Sequence, residues 1–448
     1  MASLAAMLKQ KGFEVYGSDE GVYPPMSDFL RAQQIPAFDG FRVENLTPPP
    51  DLVVVGNVIS RGNVEIEEIL DRHIPYISLP DALREFLIRG KRSIVVTGTH
   101  GKTTTTSLLS WIFDSAGRDP SFFVGGIPNN FGRGFQVGAG EDFIVEGDEY
   151  DSAFFDKVAK FLRYLPDIGI INAVEYDHAD IYPSLDDIKL AFRRFVNLIP
   201  RSGLLVINGD DDNVREVSAR AFCPVKTFGL QSTNDWYADN LTADASGVSF
   251  SVYKSGAAWR QVNLPMAGGH NVRNALACIA VADHLGLAPD EIVRAIAAFK
   301  GVKRRLELKG VAGGIEVYDD FGHHPTAVRE TLAAFRAQHP TARIWALYEP
   351  RSATSRRNVF QNEFAQAFDD ADIVLVAPVH RPDKAPADQL FSSAQLAQDL
   401  QLRGKTAQTL DVEQMVHRIL ADRRPGDVII TFSNGPFGGI HDKLLNSL

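Results

Sequence analysis

The sequence predicts an α/β protein with more than one domain, in which most strands run parallel. The chain of 448 residues exceeds the length that one hydrophobic core usually spans, so two to four domains are expected. Short apolar strands alternate with amphipathic helices along much of it, which is typical of doubly wound sheets. A strand, a glycine-containing turn and a helix follow one another between Ser93 and Trp111, and the chain is organised around this unit.

The composition indicates a globular protein of a reducing compartment. Charged residues make up 23% and hydrophobic residues 45% of the chain, and its two cysteines, Cys223 and Cys278, are far apart in sequence. The net charge of −10 argues against sequence-independent binding to nucleic acid. No apolar run reaches the length of a membrane span, and no signal peptide is evident. We therefore expect a cytoplasmic protein, monomeric or weakly dimeric, that binds neither nucleic acid nor membranes.

The N-terminal part of the sequence predicts a small α/β unit. Its expected elements are a helix at Ala2–Gln10, strands at Phe13–Tyr16, Leu52–Val55 and Pro75–Ser78, and a helix at Val64–Arg72. Polar side chains follow the strands, and four of them are candidates for binding a ligand: Ser18, Asp19, Asn57 and Ser60. Simple polar caps at strand ends explain these residues equally well.

The turn after the strand Ser93–Thr97 is a candidate phosphate-binding loop. It consists of Gly98-Thr99-His100-Gly101-Lys102-Thr103 and leads into a helix from Thr104. The free amides and the dipole of a helix start favour a polyanion, Lys102 reaches the outer phosphates, and the Thr103 hydroxyl is placed for Mg²⁺. Val96 stands where the strict pattern has glycine, and an ordinary strand-to-helix turn is the alternative. We expect a nucleotide site here.

Two later strands end in residues that suit a metal ion. The strand Asp142–Val145 is followed by Glu146, and the strand Asp167–Ile171 is followed, after a short loop, by His178. Because the carboxyl ends of parallel strands meet at one edge of a sheet, Lys102, Glu146 and His178 are expected to converge there. The carboxylate of Glu146 and the imidazole of His178 can then complete an Mg²⁺ shell beside the phosphate loop. A solvated turn would explain each acidic cluster taken alone.

A helix in the second half of the chain offers candidates for contact with a nucleoside. Residues Ser232–Arg260 predict short antiparallel strands, and the helix Val272–Leu285 that follows is expected to be capped by Asn271. His270 and Asn274 fall at the start of this helix, where they would face a base or a ribose.

After a basic turn at Gly301–Glu307, where we expect a domain boundary, strands and helices alternate again. The strands are expected at Ile315–Tyr318, Arg343–Tyr348, Asp372–Ala377 and Asp427–Phe432. Their ends carry further candidate binding residues: His323, His324, Arg351, Ser352 and Asn434. Pro325 suits the first turn of the helix that follows the histidine pair. A purely structural role is the alternative for His323 and His324.

Six motifs occur in order along the chain: Thr97–Thr104, Glu146 with its acidic run, Asn172–His178, His270–Ala275, Arg304–Glu307 and Asp320–Pro325. Together they resemble the motifs of the Mur ligases, the ATP-dependent enzymes that form amide bonds in peptidoglycan synthesis. The resemblance implies a Rossmann-like UDP-binding domain truncated at its start (1–89), a P-loop ATPase domain with a parallel sheet plus a small antiparallel sheet (90–303), and a Rossmann-like domain for the amine substrate (304–448).

The resemblance also implies residue roles, carried over by position. The expected catalytic residues are Lys102, Glu146, His178 and Arg305, and the expected metal ligands are Thr103, Glu146 and His178. ATP is expected at Gly98, Thr99, His100, Gly101, Lys102, Thr103, Thr104, His270, Asn271, Asn274, Arg305 and Asp320. The other substrates are expected at Ser18, Asp19, Asn57, Ser60, His323, His324, Arg351, Ser352 and Asn434.

Within the family, the segments Glu349–Ser352 and Ser433–His441 are most similar to members that join UDP-N-acetylmuramate to the recycled tripeptide L-alanyl-γ-D-glutamyl-meso-diaminopimelate. The implied reaction uses ATP and Mg²⁺ to convert the lactyl carboxylate into an acyl phosphate, which the peptide amine then attacks. Two alternatives stay open: ligation of L-alanine to the same nucleotide sugar, and a nucleotide-binding family member without ligase activity.

The sequence departs from the family pattern at two places. The glycine loop that holds the UDP pyrophosphate precedes the first helix in the family, and Met1 stands just past that position, so either the true start lies upstream or the UDP site is altered. Several members also carry a carbamylated lysine after the metal-binding histidine. This chain has Phe192 and Arg193 near that spacing, and Lys189 lies too early to be nominated.

Overall fold

A computed structural model describes residues 1–23, 26–244 and 246–448. Within these residues, the strands form one ten-stranded sheet, one six-stranded sheet and three two-stranded sheets. Most strand pairs in the two large sheets are parallel. The predicted α/β fold class is confirmed.

The N-terminal part consists of short elements in two small parallel sheets. In chain order they are α1 (Ala2–Gln10), β1 (Gly17–Asp19), α2 (Met26–Ala32), β2 (Ala37–Asp39), β3 (Val53–Val55), α3 (Val64–Asp71), β4 (Tyr76–Ser78) and α4 (Leu79–Leu83). Strand β1 pairs with β2, and β3 pairs with β4. The prediction of a strand at Phe13–Tyr16 is wrong, because strand pairing starts only at Gly17, opposite Ala37. Met7 of α1 is buried in one core cluster with Val145, so this part is anchored on the central sheet.

The central part is built around the ten-stranded sheet. Its elements are β5 (Arg92–Thr97), α5 (Lys102–Ser115), β6 (Ser121–Phe123), β7 (Phe135–Gln136), β8 (Asp142–Glu146), β9 (Asp151–Ala153), β10 (Asp156–Ala159), β11 (Ile168–Ile171), α6 (Leu185–Val196), β12 (Leu204–Asn208), α7 (Asp212–Ser218), β13 (Val225–Gly229), β14 (Trp236–Asp244), β15 (Gly247–Lys254), β16 (Ala257–Leu264), α8 (Gly269–His284) and α9 (Pro289–Ala297). The strand order is β16-β15-β14-β13-β12-β11-β5-β8-β6-β7.

Side chains of the central strands alternate between two apolar cores. Ile94 and Val96 of β5 pack in the core that also holds residues of α5, α8 and α9, whereas Val95 packs with α1 and α6 on the opposite face. The antiparallel strands β14 to β16 were expected in a small sheet of their own. They instead continue the large sheet, because Trp236 of β14 pairs in parallel with Phe228 of β13.

Helix α8 begins earlier than its sequence predicts. The expected N-cap was Asn271, but Gly268, with φ of 93°, precedes the first helical residue, Gly269. The Asn271 side chain lies within the first turn, where its Nδ2 donates a hydrogen bond to the Ala267 carbonyl oxygen at 2.7 Å. The prediction of Asn271 as the N-cap is therefore wrong, because a positive φ that favours glycine turns the chain into the helix sooner.

The C-terminal part is built around the six-stranded sheet. Its elements are β17 (Glu307–Ala312), β18 (Ile315–Asp320), α10 (Pro325–Gln338), β19 (Ile344–Tyr348), α11 (Gln361–Ala367), β20 (Ile373–Val376), α12 (Ser393–Leu402), β21 (Thr406–Thr409), α13 (Val412–Asp422), β22 (Val428–Phe432) and α14 (Ile440–Ser447). The strand order is β17-β18-β22-β19-β20-β21, and the β17–β18 pair is antiparallel. Pro325 lies in the first turn of α10, as predicted. In the parts of the chain described above, no helix is both long and apolar enough to cross a bilayer.

Candidate active site

A cavity of about 750 Å³ lies where the carboxyl ends of β5, β8, β11 and β12 face the carboxyl ends of β18 and β22. Many of the residues expected from the sequence line it together: Thr99, His100, Gly101, Lys102, Thr103, Thr104, Glu146, His178, His270, Asn271, Asn274, Arg305, Asp320, His323, His324 and Asn434. The expected convergence of Lys102, Glu146 and His178 is therefore present. The chemical roles of these residues stay predictions.

Two glycines let the loop after β5 pass close to its neighbours. Gly98 has φ of 128°, and a Cβ atom there would lie 2.8 Å from the backbone nitrogen of Ala173. Gly101 has φ of 79° and precedes the first residue of α5; a Cβ atom there would lie 2.5 Å from Asn274 Oδ1. This close packing directs the start of α5 towards the cavity, where its first amides are available to an anion.

The Lys102 ammonium is held by the loop and by Glu149. Its Nζ donates to the Gly98 carbonyl oxygen at 2.7 Å and to Glu149 Oε1 at 2.9 Å. Burial opposes the charged form of Lys102, but the hydrogen bond and charge of Glu149 together with the charges of Asp148 and Glu146 outweigh it and raise the pKa of the ammonium. Lys102 is therefore a fixed positive charge at the edge of the cavity.

His178 shares the same carboxylate. Its Nε2 lies 2.8 Å from Glu149 Oε1, and its backbone has φ of 54°, which is uncommon for a residue with a Cβ atom. Burial alone would lower the pKa of His178, but the hydrogen bond and charge of Glu149 raise it to about 9. Burial would raise the pKa of Glu149, and the charges of Lys102 and His178 instead lower it to about 2. The three side chains form a buried cation–anion–cation group.

Glu146 makes a second polar group beside the loop. Its Oε1 accepts a hydrogen bond from Thr103 Oγ1 at 2.8 Å, and its Oε2 accepts one from the Gly125 amide at 2.7 Å. Burial raises the pKa of Glu146 above its ordinary value. Arg305, from the segment that connects the central and C-terminal sheets, places Nη2 at 3.3 Å from Thr103 Oγ1. A hydroxyl, a carboxylate and a guanidinium thus meet at the start of α5.

The start of α8 and the end of β18 also line the cavity. His270 Nδ1 is buried and has no hydrogen-bond partner among the described residues. Asp320 accepts hydrogen bonds from the amides of Leu306 at 2.8 Å and Gly322 at 2.7 Å. Burial lowers the pKa of His270 and raises that of Asp320, so both favour the neutral form more than usual.

Hydrogen bonds join the C-terminal part to the loop after β11. Thr354 Oγ1 donates to Asp177 Oδ1 at 2.6 Å, and Thr326 Oγ1 donates to Glu175 Oε2 at 2.8 Å. His324 Nε2 lies 3.2 Å from the carbonyl oxygen of Tyr176. These contacts fix the two large sheets on either side of the cavity.

Several expected site residues do not line this cavity. Gly98, the first residue of the loop, and the four N-terminal candidates, Ser18, Asp19, Asn57 and Ser60, lie outside the cavity lining. Ser18 Oγ donates to the buried Glu65 at 2.5 Å. Arg351 and Ser352 are also outside, because the Ser355 hydroxyl folds their backbone into a tight turn by accepting from the Ser352 amide at 2.9 Å.

Sequence reasoning did not nominate several acidic residues of this site, among them Glu149, Glu175 and Asp177. Glu149 stands three residues after Glu146 in the run that follows β8, and the strand-end rule that selected Glu146 also applies to it. Glu175 and Asp177 lie within the motif Asn172–His178, but the partners that give them a role, Thr326 and Thr354, are distant in sequence and are identified only by the tertiary contacts. Lys189, which was not nominated as a carbamylated lysine, forms an ion pair with Glu216 at 2.7 Å. Lys189 does not line the cavity.

Comparison with known proteins identifies the class to which this fold and site belong. Three family models match successive parts of the chain: "Mur ligase family, catalytic domain" at residues 1–91, "Mur ligase middle domain" at residues 96–282, and "Mur ligase, glutamate ligase domain" at residues 304–435. The chain belongs to the Mur ligase family.

Individual relatives match the chain over its full length. The UDP-N-acetylmuramate–L-alanyl-γ-D-glutamyl-meso-2,6-diaminoheptandioate ligase of Escherichia coli (strain K12) is 40% identical, over 100% of this chain and 96% of the relative. The UDP-N-acetylmuramate–L-alanine ligase of Lachnoclostridium phytofermentans is 34% identical, over 99% of this chain and 95% of the relative. The crystal structure of a murein peptide ligase from Psychrobacter arcticus matches with a TM-score of 0.74 and 35% identity, over 100% of this chain and 96% of that one.

Proposed function

We propose that this protein is an ATP-dependent ligase that joins the carboxylate of UDP-N-acetylmuramate to the amine of the recycled tripeptide L-alanyl-γ-D-glutamyl-meso-diaminopimelate. The observation that carries the proposal is the shared cavity, in which the loop Gly98–Thr103 faces Glu146, Arg305 and the end of β18. Phosphate-binding, cationic and carboxylate groups in one enclosed place are what activation of a carboxylate by ATP requires. The 40% identity to the Escherichia coli ligase over the whole chain supports this substrate pair.

We assign the three substrates to three parts of the chain. Residues 1–89 would hold the UDP end of the nucleotide sugar, 90–303 would hold ATP, and 304–448 would bring the amine. The position of the phosphate loop in the second part and of His323 and Asn434 on the C-terminal side of the cavity supports this assignment. The protein would work in the cytoplasm as a monomer or weak homodimer.

The residues present fit ATP and Mg²⁺. Gly101 lacks the Cβ atom that would clash with Asn274, so the loop keeps the close form that brings backbone amides to a phosphate. Buried polar atoms with no partner among the described residues, such as His270 Nδ1 and Asn172 Oδ1, offer hydrogen-bonding capacity to a nucleotide. Thr103 and Glu146 supply oxygen atoms of the kind that Mg²⁺ prefers, with His178 as a third expected ligand. When bound, Mg²⁺ would neutralise charge on the phosphates.

Positive charges of the protein would assist phosphoryl transfer from ATP to the lactyl carboxylate. Lys102 is fixed by Glu149, and Arg305 lies beside Thr103, so both present cationic groups without large rearrangement. Such preorganised charges stabilise negative charge on the transferring group and yield the acyl phosphate. Burial of Lys102 strengthens its effect, because fewer water molecules screen it.

The C-terminal part would present the amine and keep water away from the acyl phosphate. The hydrogen bonds of Thr326 to Glu175 and of Thr354 to Asp177 hold this part against the central sheet. His324 is engaged at the start of α10, whereas His323 Nε2 faces Asp177 Oδ2 at 3.7 Å and lines the cavity. His323 is therefore the better placed of the two to orient the incoming amine.

A panel of amines tests the proposed substrate. Purified protein is supplied with ATP, Mg²⁺ and UDP-N-acetylmuramate, and phosphate release and product mass are measured with the tripeptide or with L-alanine. We expect rapid turnover and a new amide with the tripeptide. UDP-N-acetylglucosamine, which lacks the lactyl carboxylate, is the control and should support no amide. Absence of an amide with every amine would show that the protein is not a ligase.

A second candidate is ligation of L-alanine to the same nucleotide sugar. The 34% identity to the Lachnoclostridium phytofermentans alanine ligase over nearly the whole chain supports this second candidate. In the same panel, turnover with L-alanine and none with the tripeptide would replace the first proposal with this one.

A further inference from the structure

Outside the Lys102–Glu149–His178 group, the described residues contain a second cluster of ligand-forming side chains. His100, Glu175 and His324 each offer one ligand atom, and these atoms all lie within 4.8 Å of one another. The exposed fraction of the side chain is 21% for His100, 32% for Glu175 and 5% for His324. The cluster is thus partly enclosed but still reaches the cavity.

The distances within this cluster suit a tetrahedral metal better than direct hydrogen bonds. Glu175 Oε2 lies 3.3 Å from His100 Nε2 and 3.4 Å from His324 Nδ1. Hydrogen bonds between an imidazolium and a carboxylate are usually about 2.7–2.9 Å long. In contrast, a tetrahedral Zn²⁺ with bonds of about 2.0–2.1 Å holds its ligand atoms about 3.3–3.4 Å apart.

The hydrogen bonds of His324 indicate a neutral imidazole with its hydrogen on Nε2. Its Nε2 lies 3.2 Å from the carbonyl oxygen of Tyr176, which can only accept, so Nε2 carries the hydrogen. The Thr326 amide points at Nδ1 from 3.3 Å, which agrees with an unprotonated Nδ1. Nδ1 therefore carries a lone pair, which accepts the long hydrogen bond from the Thr326 amide and lies 3.4 Å from Glu175 Oε2. A metal ion at Nδ1 would take the place of that hydrogen bond. The contact to the Tyr176 carbonyl is also the outer-shell bond that commonly orients a histidine ligand.

We propose that His100, Glu175 and His324 form a site for a divalent transition metal of the Zn²⁺ type, separate from the Mg²⁺ residues. Two imidazoles and one carboxylate are a set that Zn²⁺ accepts, with a fourth position open to the cavity. His100 belongs to the phosphate loop and His324 precedes α10 of the C-terminal part. A metal bound here ties the C-terminal part to the phosphate loop.

Titration of the full chain with Co²⁺, a spectroscopic substitute for Zn²⁺, tests this site without measuring ligation. Nucleotide-free protein in excess Mg²⁺ should give the visible absorption of tetrahedral Co²⁺, and added Zn²⁺ should remove it. His100→Gln and His324→Gln should each weaken Co²⁺ binding by at least about tenfold, since loss of even an outer-shell partner has effects of that size. Circular dichroism confirms folding, and His100→Gln, which leaves the start of α10 unchanged, keeps the test valid if His324→Gln does not fold.

Two controls separate this site from others. Glu146→Gln changes the expected Mg²⁺ site and should keep the Co²⁺ spectrum, as should His73→Gln at an exposed histidine elsewhere. No tetrahedral spectrum in the unaltered protein, an unchanged affinity in His100→Gln, or loss of the spectrum in Glu146→Gln would each overturn the proposal.

Discussion

Among single residues, Glu149 connects two cationic side chains of the site. Its Oε1 accepts from Lys102 Nζ at 2.9 Å and lies 2.8 Å from His178 Nε2. A buried carboxylate between two cations is stable only as a unit, because removal of one partner leaves an uncompensated charge. Phosphates that approach Lys102 therefore compete with Glu149 for its ammonium.

Replacement of Lys102 tests its part in phosphoryl transfer. Lys102→Ala should lower the rate of amide formation by at least about a hundredfold, because a preorganised cation at the transferring group is lost. Circular dichroism at low temperature should show that the variant is folded, although its stability is lower because Glu149 has lost one of its two cationic partners. Lys226→Ala, at a partly exposed lysine on β13, is the matched control and should keep the full rate. Near-normal turnover of Lys102→Ala would refute the assignment.

The raised pKa of His178 predicts a pH dependence of stability. Its pKa is about 9 in the folded protein against an ordinary value of 6.5, so the folded state binds the proton more tightly. The stabilisation from this group is fully present below pH 6.5 and is lost as the pH rises through about 9. Urea unfolding across this range should show a decline that is smaller in His178→Gln. An identical pH profile in the variant would contradict the pairing with Glu149.

The sequence predicts the residues of this site where chemistry follows from a local pattern. Lys102 and Thr103 follow a glycine turn between a strand and a helix, and Glu146 ends a buried strand, so position in the element was enough. Glu175 could not be found in this way, because its partners Thr326 and His100 are far away in the chain. Arg351 and Ser352 were expected at the site, but the fold of their own turn keeps them out of the cavity lining.

Among the secondary-structure elements, the start of α5 depends on a glycine in a left-handed conformation. Gly101→Ala should cost more than the usual ~1–2 kcal/mol for this conformation, because the added Cβ atom would also lie 2.5 Å from Asn274 Oδ1. The affinity of Gly101→Ala for ATP, measured by calorimetry, should also be lower, because the substitution disturbs the phosphate loop.

Gly404 provides a matched control for this substitution. It has the same φ of 79° as Gly101, and nothing lies within 4 Å of its Cβ position. Gly404→Ala should therefore show only the conformational cost and keep ATP binding. Equal effects of the two substitutions on unfolding and on ATP binding would show that the contact with Asn274 is unimportant.

Sequence reasoning misplaced two element limits, one set by a distant pairing partner and one set by a local backbone conformation. The strand near Phe13–Tyr16 was shifted because its pairing partner, β2, starts opposite Gly17. The start of α8 was misplaced because Asn271 is a good cap by composition, whereas the positive φ of Gly268 already turns the chain. The predicted strands Ser93–Thr97, Asp142–Val145 and Asp167–Ile171 correspond closely to β5, β8 and β11, since burial on both faces produces continuous apolar runs.

At the scale of the whole molecule, the account depends on contact between the C-terminal part and the loop after β11. The Thr354 hydroxyl donates to Asp177 Oδ1 at 2.6 Å and accepts from the Ala179 amide at 3.2 Å. Both hydrogen bonds join the C-terminal part, which contains Thr354, to the central part, which contains Asp177 and Ala179. The enclosure of the cavity therefore depends in part on one hydroxyl group.

Thr354→Val keeps the shape of the side chain and removes these hydrogen bonds. We expect a loss of ~1–3 kcal/mol in the free energy of unfolding, because a buried donor and acceptor lose their partner. A less tightly held C-terminal part should also admit water, so more ATP is hydrolysed for each amide formed. Phosphate and amide are measured together. Thr242→Val, on exposed β14, is the control, and an unchanged ratio in Thr354→Val would argue against water exclusion by this contact.

The central claim is that one cavity activates a carboxylate with ATP and passes it to an amine. UDP-N-acetylmuramate with heavy oxygen in its lactyl carboxylate is supplied with ATP, Mg²⁺ and the tripeptide, and the released phosphate is analysed by mass spectrometry. An acyl phosphate requires that one carboxylate oxygen leave with the phosphate, so the account predicts one heavy oxygen in each phosphate released with an amide. Amide formation with phosphate free of the label would contradict it.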